Sequence, residues 1–595
     1  MSRKKSPARP GKKFVSPAKE RWASDVIVDL LHAYQLPHAA LNPGASYRGL
    51  HDSIVNYGQN RPTMMLCQHE ETAVQVAHGY AKASGKPMVA ILHNLVGLLH
   101  ANMAIYYAYI DRAPVFIVGA TGPMDETKRR PRIDWIHTAQ GQGEAVRQYT
   151  KWDYQPHTID GAPEAFARAY GVMMTQPQGP VYMIYDAWLQ EQKLDHEVKL
   201  PPPDAVKVPS RIAPDPAALA EAADLIAASE RPVIIAEYTG RDQEAFHSLV
   251  ELAETAGIAV YDINGRLNFP SRHPLNASLS KDAFRTADLV LCLDARDWEK
   301  PTTELVSTTR ELTSVVPAGA KWVEIGFGDL ELSSWAMDYQ RMNHADLRVL
   351  ADTTLAIPML TALLKARIAK DAKLGARVKA RTAGVAAKNK ARRDRWAKEA
   401  REDWDASPIT LPRLASEVWD AIKGEDWVLT AGTLEEWARK LWNFDQPHRH
   451  PGRSLGTATQ FGISLGVALA NRDAKRLVVD LQPDGDLMFD AGAMWVAAKH
   501  RIPLLVVMHN NRAYYNDWEH QIRMAKLRGT PVARAHIGMD MDDPAPDFAS
   551  MARSMGWYAE GPIDDPRKIA AALARAIAKV KAGQPALLDT ITQKR

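Results

Sequence analysis

Cysteine is nearly absent from this chain, which has only Cys67 and Cys292 among 595 residues, each inside a different apolar run. That excludes a disulfide framework and makes a reducing, cytoplasmic setting the expectation. No stretch of roughly eighteen or more uncharged apolar residues occurs, so no membrane span is expected. Neither sign of charge dominates. The net charge is +4, spread along the whole chain, which argues against a dedicated nucleic-acid binder. Residues 1–20 are basic and polar and lack an apolar core segment, so they read as a disordered, solvated tail rather than a secretory signal. What is present is ordinary globular usage, 46% apolar and 24% charged, over a length that calls for about three or four domains.

Short β-rich apolar runs alternate with longer helical patterns. This alternation predicts an α/β protein of three doubly wound, parallel-sheet domains. In the first third, strands are expected near Ala39–Leu41, Thr63–Cys67, Met88–Leu92, Pro114–Val118 and Val181–Tyr185. The middle third offers Val233–Ala236, Ile258–Tyr261, Leu289–Leu293 and Trp322–Ile325, and the last third Trp427–Thr430, Arg476–Leu481, Pro503–Met508 and Ala586–Ile591. Pro201–Ser210 is proline-rich and reads as a linker. Lys365–Trp404 is rich in Ala, Lys and Arg and reads as a solvated helix joining two domains. The expected divisions are therefore domains at 21–195, 205–362 and 405–595, with a linking helix at 365–404.

The strongest local signal lies in residues 477–517. A strand runs into Gln482-Pro483-Asp484-Gly485-Asp486, a helix follows, and a second strand ends at Asn510-Asn511. In open α/β sheets, ligands bind at the carboxyl ends of strands, where both clusters fall. Asp484, Asn511 and the Ala513 carbonyl offer hard oxygens, the donor type Mg²⁺ prefers when it shares its shell with a diphosphate. Taken alone, each pair is an ordinary turn. Together, with Asp484 and Asn511 27 positions apart, they resemble the diphosphate-binding motif of thiamine diphosphate enzymes. Pro483 departs from that motif by standing where relatives carry its first glycine.

A second resemblance stands in the first third. Glu70, Ala77, Gly79, Tyr80 and Ala81 are similar to the activating-glutamate helix of thiamine diphosphate decarboxylases and carboligases. The resemblance implies that Glu70 hydrogen-bonds the cofactor's aminopyrimidine through a carboxyl that keeps its proton in an apolar setting. Asn42, Pro43 and Gly44 look like the loop that opens benzoylformate decarboxylases. Residues 91–105 align with the segment in which that family keeps a catalytic histidine, here His93, followed by Gly97. The family's serine directly after Asn-Pro-Gly is Ala45 here, and Ser46 comes next as a substrate-contact candidate. Leu95-Val96-Gly97 replaces the Gly-Pro-Gly of acetolactate synthases.

From the same resemblance, His137 and Gln140 become candidates for the catalytic cavity. Gly432, Thr433, Thr457, Gly485 and Asp486, with Asn42, Pro43, Gly44 and Gly97, become candidates for cofactor contact. Relatives place a bulky apolar residue where the alignment gives Thr457. Tyr514 and Trp518 follow the metal motif and are candidates for substrate contact.

The chain is thus identified as a member of the benzoylformate decarboxylase, acetolactate synthase and benzaldehyde lyase superfamily. Its implied domains are pyrimidine-binding, central and diphosphate-binding. The implied cofactors are thiamine diphosphate and Mg²⁺. A flavin is disfavoured because the central domain has no Gly-rich loop after its first strand. The implied partners are a small carbonyl substrate and further copies of the chain, as a dimer or tetramer with shared active sites. The implied chemistry is decarboxylation of a 2-oxo acid or acyloin formation. The rivals are acyl transfer of the acetolactate-synthase kind with a structural flavin, and a non-catalytic scaffold of the same fold.

Overall fold

The structure, a computed structural model, describes residues 20–330, 333, 344–430, 435–453 and 455–594. They fall into two compact units that divide principally between Pro209 and Ser210.

The first unit is built on six parallel strands in the order Thr63–Leu66, His38–Leu41, Met88–Ile91, Val115–Thr121, Val181–Asp186, Trp152–Tyr154. Parallel sheets are covered on both faces, so their inner strands are apolar throughout. Met88–Ile91 and Val115–Thr121 are accordingly buried at every position. The chain leaves His38–Leu41 for one neighbour and returns to pair on the other side. Strand order therefore reverses at His38–Leu41, and a crevice opens at the carboxyl ends there. Asn42, Glu70 and His93 all lie at that end.

The second unit carries two five-stranded parallel sheets. The first runs Ala259–Asp262, Pro232–Ala236, Leu289–Leu293, Lys321–Gly326, Leu347–Leu350. Its two faces separate by alternation. Val233, Ile235, Val290 and Cys292 fill one core, and Ile234, Ala236, Leu289, Leu291 and Leu293 the other. Burial pushes the Cys292 thiol well above its ordinary range, which leaves it an inert packing residue. The second sheet runs Trp427–Leu429, Leu477–Pro483, Leu505–Asn510, Ala586–Ile591, Tyr558–Ile563. Beneath it, Trp427 meets Trp442 and Phe444 edge-on at 5.5 and 5.1 Å. Pairs of this kind contribute roughly 0.5–1.5 kcal/mol each beyond area burial.

The two sheets of this unit are stitched together by polar bonds. His450 donates through Nδ1 to the Leu429 carbonyl at 2.8 Å, which leaves Nε2 to accept from Asn264 at 3.0 Å. Ser271 exchanges bonds with the Phe444 backbone and donates to the Trp442 carbonyl at 2.9 Å.

Three strands of the large parallel sheets were not expected from sequence: Trp152–Tyr154, Leu347–Leu350 and Tyr558–Ile563. The expected single helix at 365–404 is also corrected. One helix, Thr353–Lys370, ends at Asp371, whose carboxylate caps the next, Ala372–Glu399, by accepting from the Lys373 and Leu374 amides. The second helix is more than a solvated spacer. Arg381 donates to the Ser229 carbonyl at 3.0 Å and to that of Ala256, Asn389 to Pro274 at 2.7 Å and Arg392 to Asn276 at 2.9 Å. Among the described residues no helix is long and apolar enough to cross a membrane.

Candidate active site

In the first unit the strand Met88–Ile91 delivers His93 beside the loop that follows His38–Leu41. The approach is close, and a Cβ on Gly44 would stand 2.7 Å from His93 Cγ, so only glycine fits. Ser46 is buried beneath the ring, with Oγ 2.7 Å from His93 Nδ1. The Asn94 amide also donates to Nδ1, at 2.8 Å. Two donors on Nδ1 leave the ring's own proton on Nε2. Burial, and then the neighbouring His137, hold His93 below the usual histidine range, so the imidazole is neutral near pH 7. The rings of His93 and His137 lie 5.9 Å apart.

Glu70 opens the helix Glu70–Ser84 and is buried. Its carboxylate packs on Gly97, where a Cβ would meet Oε1 at 3.0 Å and His93 Cβ at 2.9 Å. Its other oxygen lies 3.3 Å from His100 Nδ1, one turn further along the helix Leu95–Ile110. His100 stacks on His69 with centroids 4.9 Å apart. Sequence reasoning missed both histidines. The available signal was the i, i+3 spacing of Gly97 and His100 on a helix already suspected of facing Glu70.

The structure therefore brings Gly44, Ser46, Glu70, His93, Gly97 and His137 into one neighbourhood. Asn42 joins them through its carbonyl, which accepts from the Tyr47 hydroxyl, and Pro43 bridges it to Gly44. Ser46 differs from its expected role, because its hydroxyl is buried and engaged by His93 rather than open to a substrate. Gln140 is exposed. The buried amide nearby is Gln142, which donates to the Ala120 carbonyl and the Tyr182 hydroxyl.

In the second unit a cleft of about 350 Å³ opens at the carboxyl ends of Leu477–Pro483 and Leu505–Asn510. It is lined by Thr457, Asp484, Gly485, Asp486, Asn511, Ala513 and Tyr514 among others. Pro483 has φ −75, close to the value its ring imposes, and ψ 147 in the extended region proline favours, so this departure from the glycine motif costs no strain. Asp484 is buried, and burial pushes its carboxyl up to about 6 against the opposing pull of nearby amides. Arg512, with φ +55, turns the chain so that the Ala513 amide donates to Asp484 at 3.2 Å. The two asparagines divide the work. Asn510 donates to Asp589 at 2.8 Å, whereas Asn511 Oδ1 is buried with no hydrogen-bond partner among the described residues. A buried carboxylate beside an oxygen that lacks a donor fits a hard divalent cation.

Asp486 lines the cleft and accepts the Ala458 amide at 2.6 Å, a bond to the loop before the helix Gln460–Asn471. One expectation changes here. Trp518 lies outside the cleft lining, with Lys594 Nζ 3.9 Å over its ring and His536 beside it. Leu455 and Thr457 both line the cleft from the loop before that helix. Tyr514 does line the cleft, its ring packed over Gly485. Gly432 and Thr433 lie outside the described residues.

Comparison with known proteins gives three consecutive domain matches. They are the N-terminal TPP binding domain of thiamine pyrophosphate enzymes over residues 21–146, the central domain over 219–332 and the C-terminal TPP binding domain over 430–590. A probable chloroplastic acetolactate synthase 2 from Oryza sativa subsp. japonica is 24% identical over 93% of this chain and 80% of its own length. Benzoylformate decarboxylase from Polynucleobacter necessarius superposes with a TM-score of 0.74 at 19% identity, covering 97% of this chain and 99% of that one. A thiamine diphosphate-dependent 4-hydroxybenzoylformate decarboxylase from Rhodococcus jostii gives 0.72 at 17%, covering 97% and 100%. At such identities the structural likeness is one of fold.

Proposed function

Because the chain belongs to the thiamine diphosphate-dependent enzymes, as its three successive domain matches establish, we propose that it is a non-oxidative lyase that decarboxylates a 2-oxo acid. The observation that carries this reading is His93, a neutral imidazole held through Nδ1 by Ser46, with Nε2 protonated and His137 and Glu70 close by. An acid–base group of this kind suits a reaction that must protonate a carbanion equivalent after CO₂ departs.

When bound, thiamine diphosphate would supply the electron sink that such a decarboxylation needs. Glu70 would hold a proton at a buried carboxyl facing the pyrimidine, with Gly97 leaving it room. His93 would give and take a proton at Nε2. Asp484, Asn511 Oδ1 and the Ala513 carbonyl would hold Mg²⁺, and the Gly485 amide region would receive the diphosphate. Leu455 would press on the cofactor from the loop before the helix Gln460–Asn471. The domain assignment follows: 21–195 for the pyrimidine, 205–362 central and 405–595 for the diphosphate, linked through 365–404.

Tyr514 at the cleft, with the fold shared with aromatic 2-oxo acid decarboxylases, favours an aromatic or bulky substrate. Assembly as a dimer or tetramer agrees with Leu99 and Met103, which stand exposed at i, i+4 on one face of the helix Leu95–Ile110. A cytoplasmic location agrees with two buried cysteines that form no disulfide.

The test is CO₂ release from a panel of aliphatic and aromatic 2-oxo acids, with thiamine diphosphate and Mg²⁺ added and then withheld. Cofactor-dependent release supports the reading. Cofactor binding without release from any acid sinks it in favour of acyloin cleavage. Glu70→Gln should lower release by about 10²- to 10⁴-fold with folding unchanged, and full activity in that variant would remove Glu70 from the chemistry. A second reading, acyl transfer of the acetolactate-synthase kind, draws on the likeness to the plant relative along most of the chain. Flavin absorbance in the purified protein would favour it.

A further inference from the structure

The contact between Glu70 and His100 has the wrong length for a strong hydrogen bond. A charge-assisted N–H···O bond closes to about 2.7–2.9 Å, whereas Oε2 and Nδ1 stand 3.3 Å apart. That distance matches the spacing of two donors on one tetrahedral ion, since metal–ligand bonds of about 2.0–2.1 Å put neighbouring donors roughly 3.3–3.4 Å apart. His69 completes the group, and the donor atoms of all three residues lie within 4.8 Å of one another. The segments differ, with His69 and Glu70 at a strand–helix junction and His100 one turn into another helix, so the backbone fixes the cluster from two sides.

We propose that His69, Glu70 and His100 form a site for a transition-metal ion of the zinc class, which occupies the glutamate in place of the cofactor. The donor set is two imidazoles and one carboxylate, with the half-exposed His100 leaving a fourth position for water. The hydrogen bond given up at His69 is a long one, from the Glu71 amide to Nδ1 at 3.3 Å. Nitrogen donors select Zn²⁺, Co²⁺ or Cu²⁺ over Mg²⁺, which is left to the all-oxygen group at Asp484 and Asn511. Exclusion of the cofactor rests on the reading of Glu70 given above, whereas binding of the ion does not. If both hold, each ligand weakens the other by the same factor.

The experiment uses the full chain, stripped with a chelator, titrated with ZnCl₂ by calorimetry and with CoCl₂ by visible absorption. One ion per chain is expected, with tetrahedral Co²⁺ bands. His100→Ala and His69→Ala should each weaken binding by about tenfold or more. His100→Asn and His69→Gln, checked by circular dichroism, serve if the alanine forms do not fold. Asp484→Asn should leave binding unchanged, which separates this site from the oxygen group. Absence of stoichiometric binding overturns the proposal, as does binding indifferent to both histidine changes. Saturating thiamine diphosphate with Mg²⁺ should lower the Zn²⁺ affinity. An unchanged affinity, with the histidine dependence intact, would overturn the exclusion and the pyrimidine role of Glu70 while leaving the ion site standing.

Discussion

Asp480 offers a sharp test of how burial acts in this fold. It lies on the strand Leu477–Pro483 with no exposed surface. Gln460 Nε2 donates to its Oδ1 at 2.7 Å, and the Ser464 and Thr430 hydroxyls sit beside it. Burial pushes its carboxyl from 3.8 up to about 7, and the Asp486 carboxylate adds to the rise. A folded pKa above the unfolded one means that folding favours the protonated form. The stability it confers is complete below about pH 4, declines as pH rises toward 7, and is level beyond. Three pK units at about 1.36 kcal/mol each give an upper bound of ~4 kcal/mol over that window.

Asp480→Asn keeps the acceptor for Gln460 and a donor for the hydroxyls but cannot ionise. It should therefore gain on the wild type as pH rises, by up to ~3 kcal/mol between pH 5 and pH 8. Urea midpoints of the cofactor-free protein, followed by tryptophan fluorescence at those two pH values, would measure the difference. An equal difference at both pH values would show that Asp480 is ionised in the fold and would refute the reasoning.

Gly97→Ala drives a methyl group into Glu70 Oε1 and His93 Cβ. Cofactor-dependent CO₂ release should fall by about tenfold or more while the melting temperature barely moves, and normal release would contradict the packing. His137→Ala removes the imidazole whose charge helps hold His93 down. The acid limb of the pH–rate profile should move to higher pH, and an unmoved or lowered limb would dissociate the two rings. Pro483→Gly restores the common motif residue at a φ proline already satisfies. It should destabilise by roughly 0.4–1 kcal/mol through the unfolded chain and leave cofactor affinity unaltered, as calorimetry would report.

The inner strands were legible because a strand covered on both faces must be apolar throughout, as Leu289–Leu293 and Met88–Ile91 are. Trp152–Tyr154, Leu347–Leu350 and Tyr558–Ile563 escaped notice for the converse reason. Each is a sheet edge, half open to solvent, with no continuous apolar run. In the candidate site, Glu70, Asp484 and Asn511 stood out because a fixed spacing along the chain carries their pattern. His69, His100 and Leu455 did not, and Ser46 was singled out only as a substrate contact, because their places depend on contacts between segments. Ser46 illustrates the difference, since one residue of slip in the loop still lets its hydroxyl reach His93.

The bonds joining Asn264 to His450 and Ser271 to Phe444 have a meaning for how this architecture can change over time. Each lies between the two sheets of the second unit, and each satisfies polar groups buried there. A gene rearrangement that excised the central domain would break these bonds and strip Phe246 and Leu267 from the core they share with Trp427, Trp442 and Phe444, at about 25 cal/mol for each Å² of apolar surface uncovered. Descendants of this chain are therefore free to remodel the loops above the central sheet, but poorly placed to discard the sheet itself.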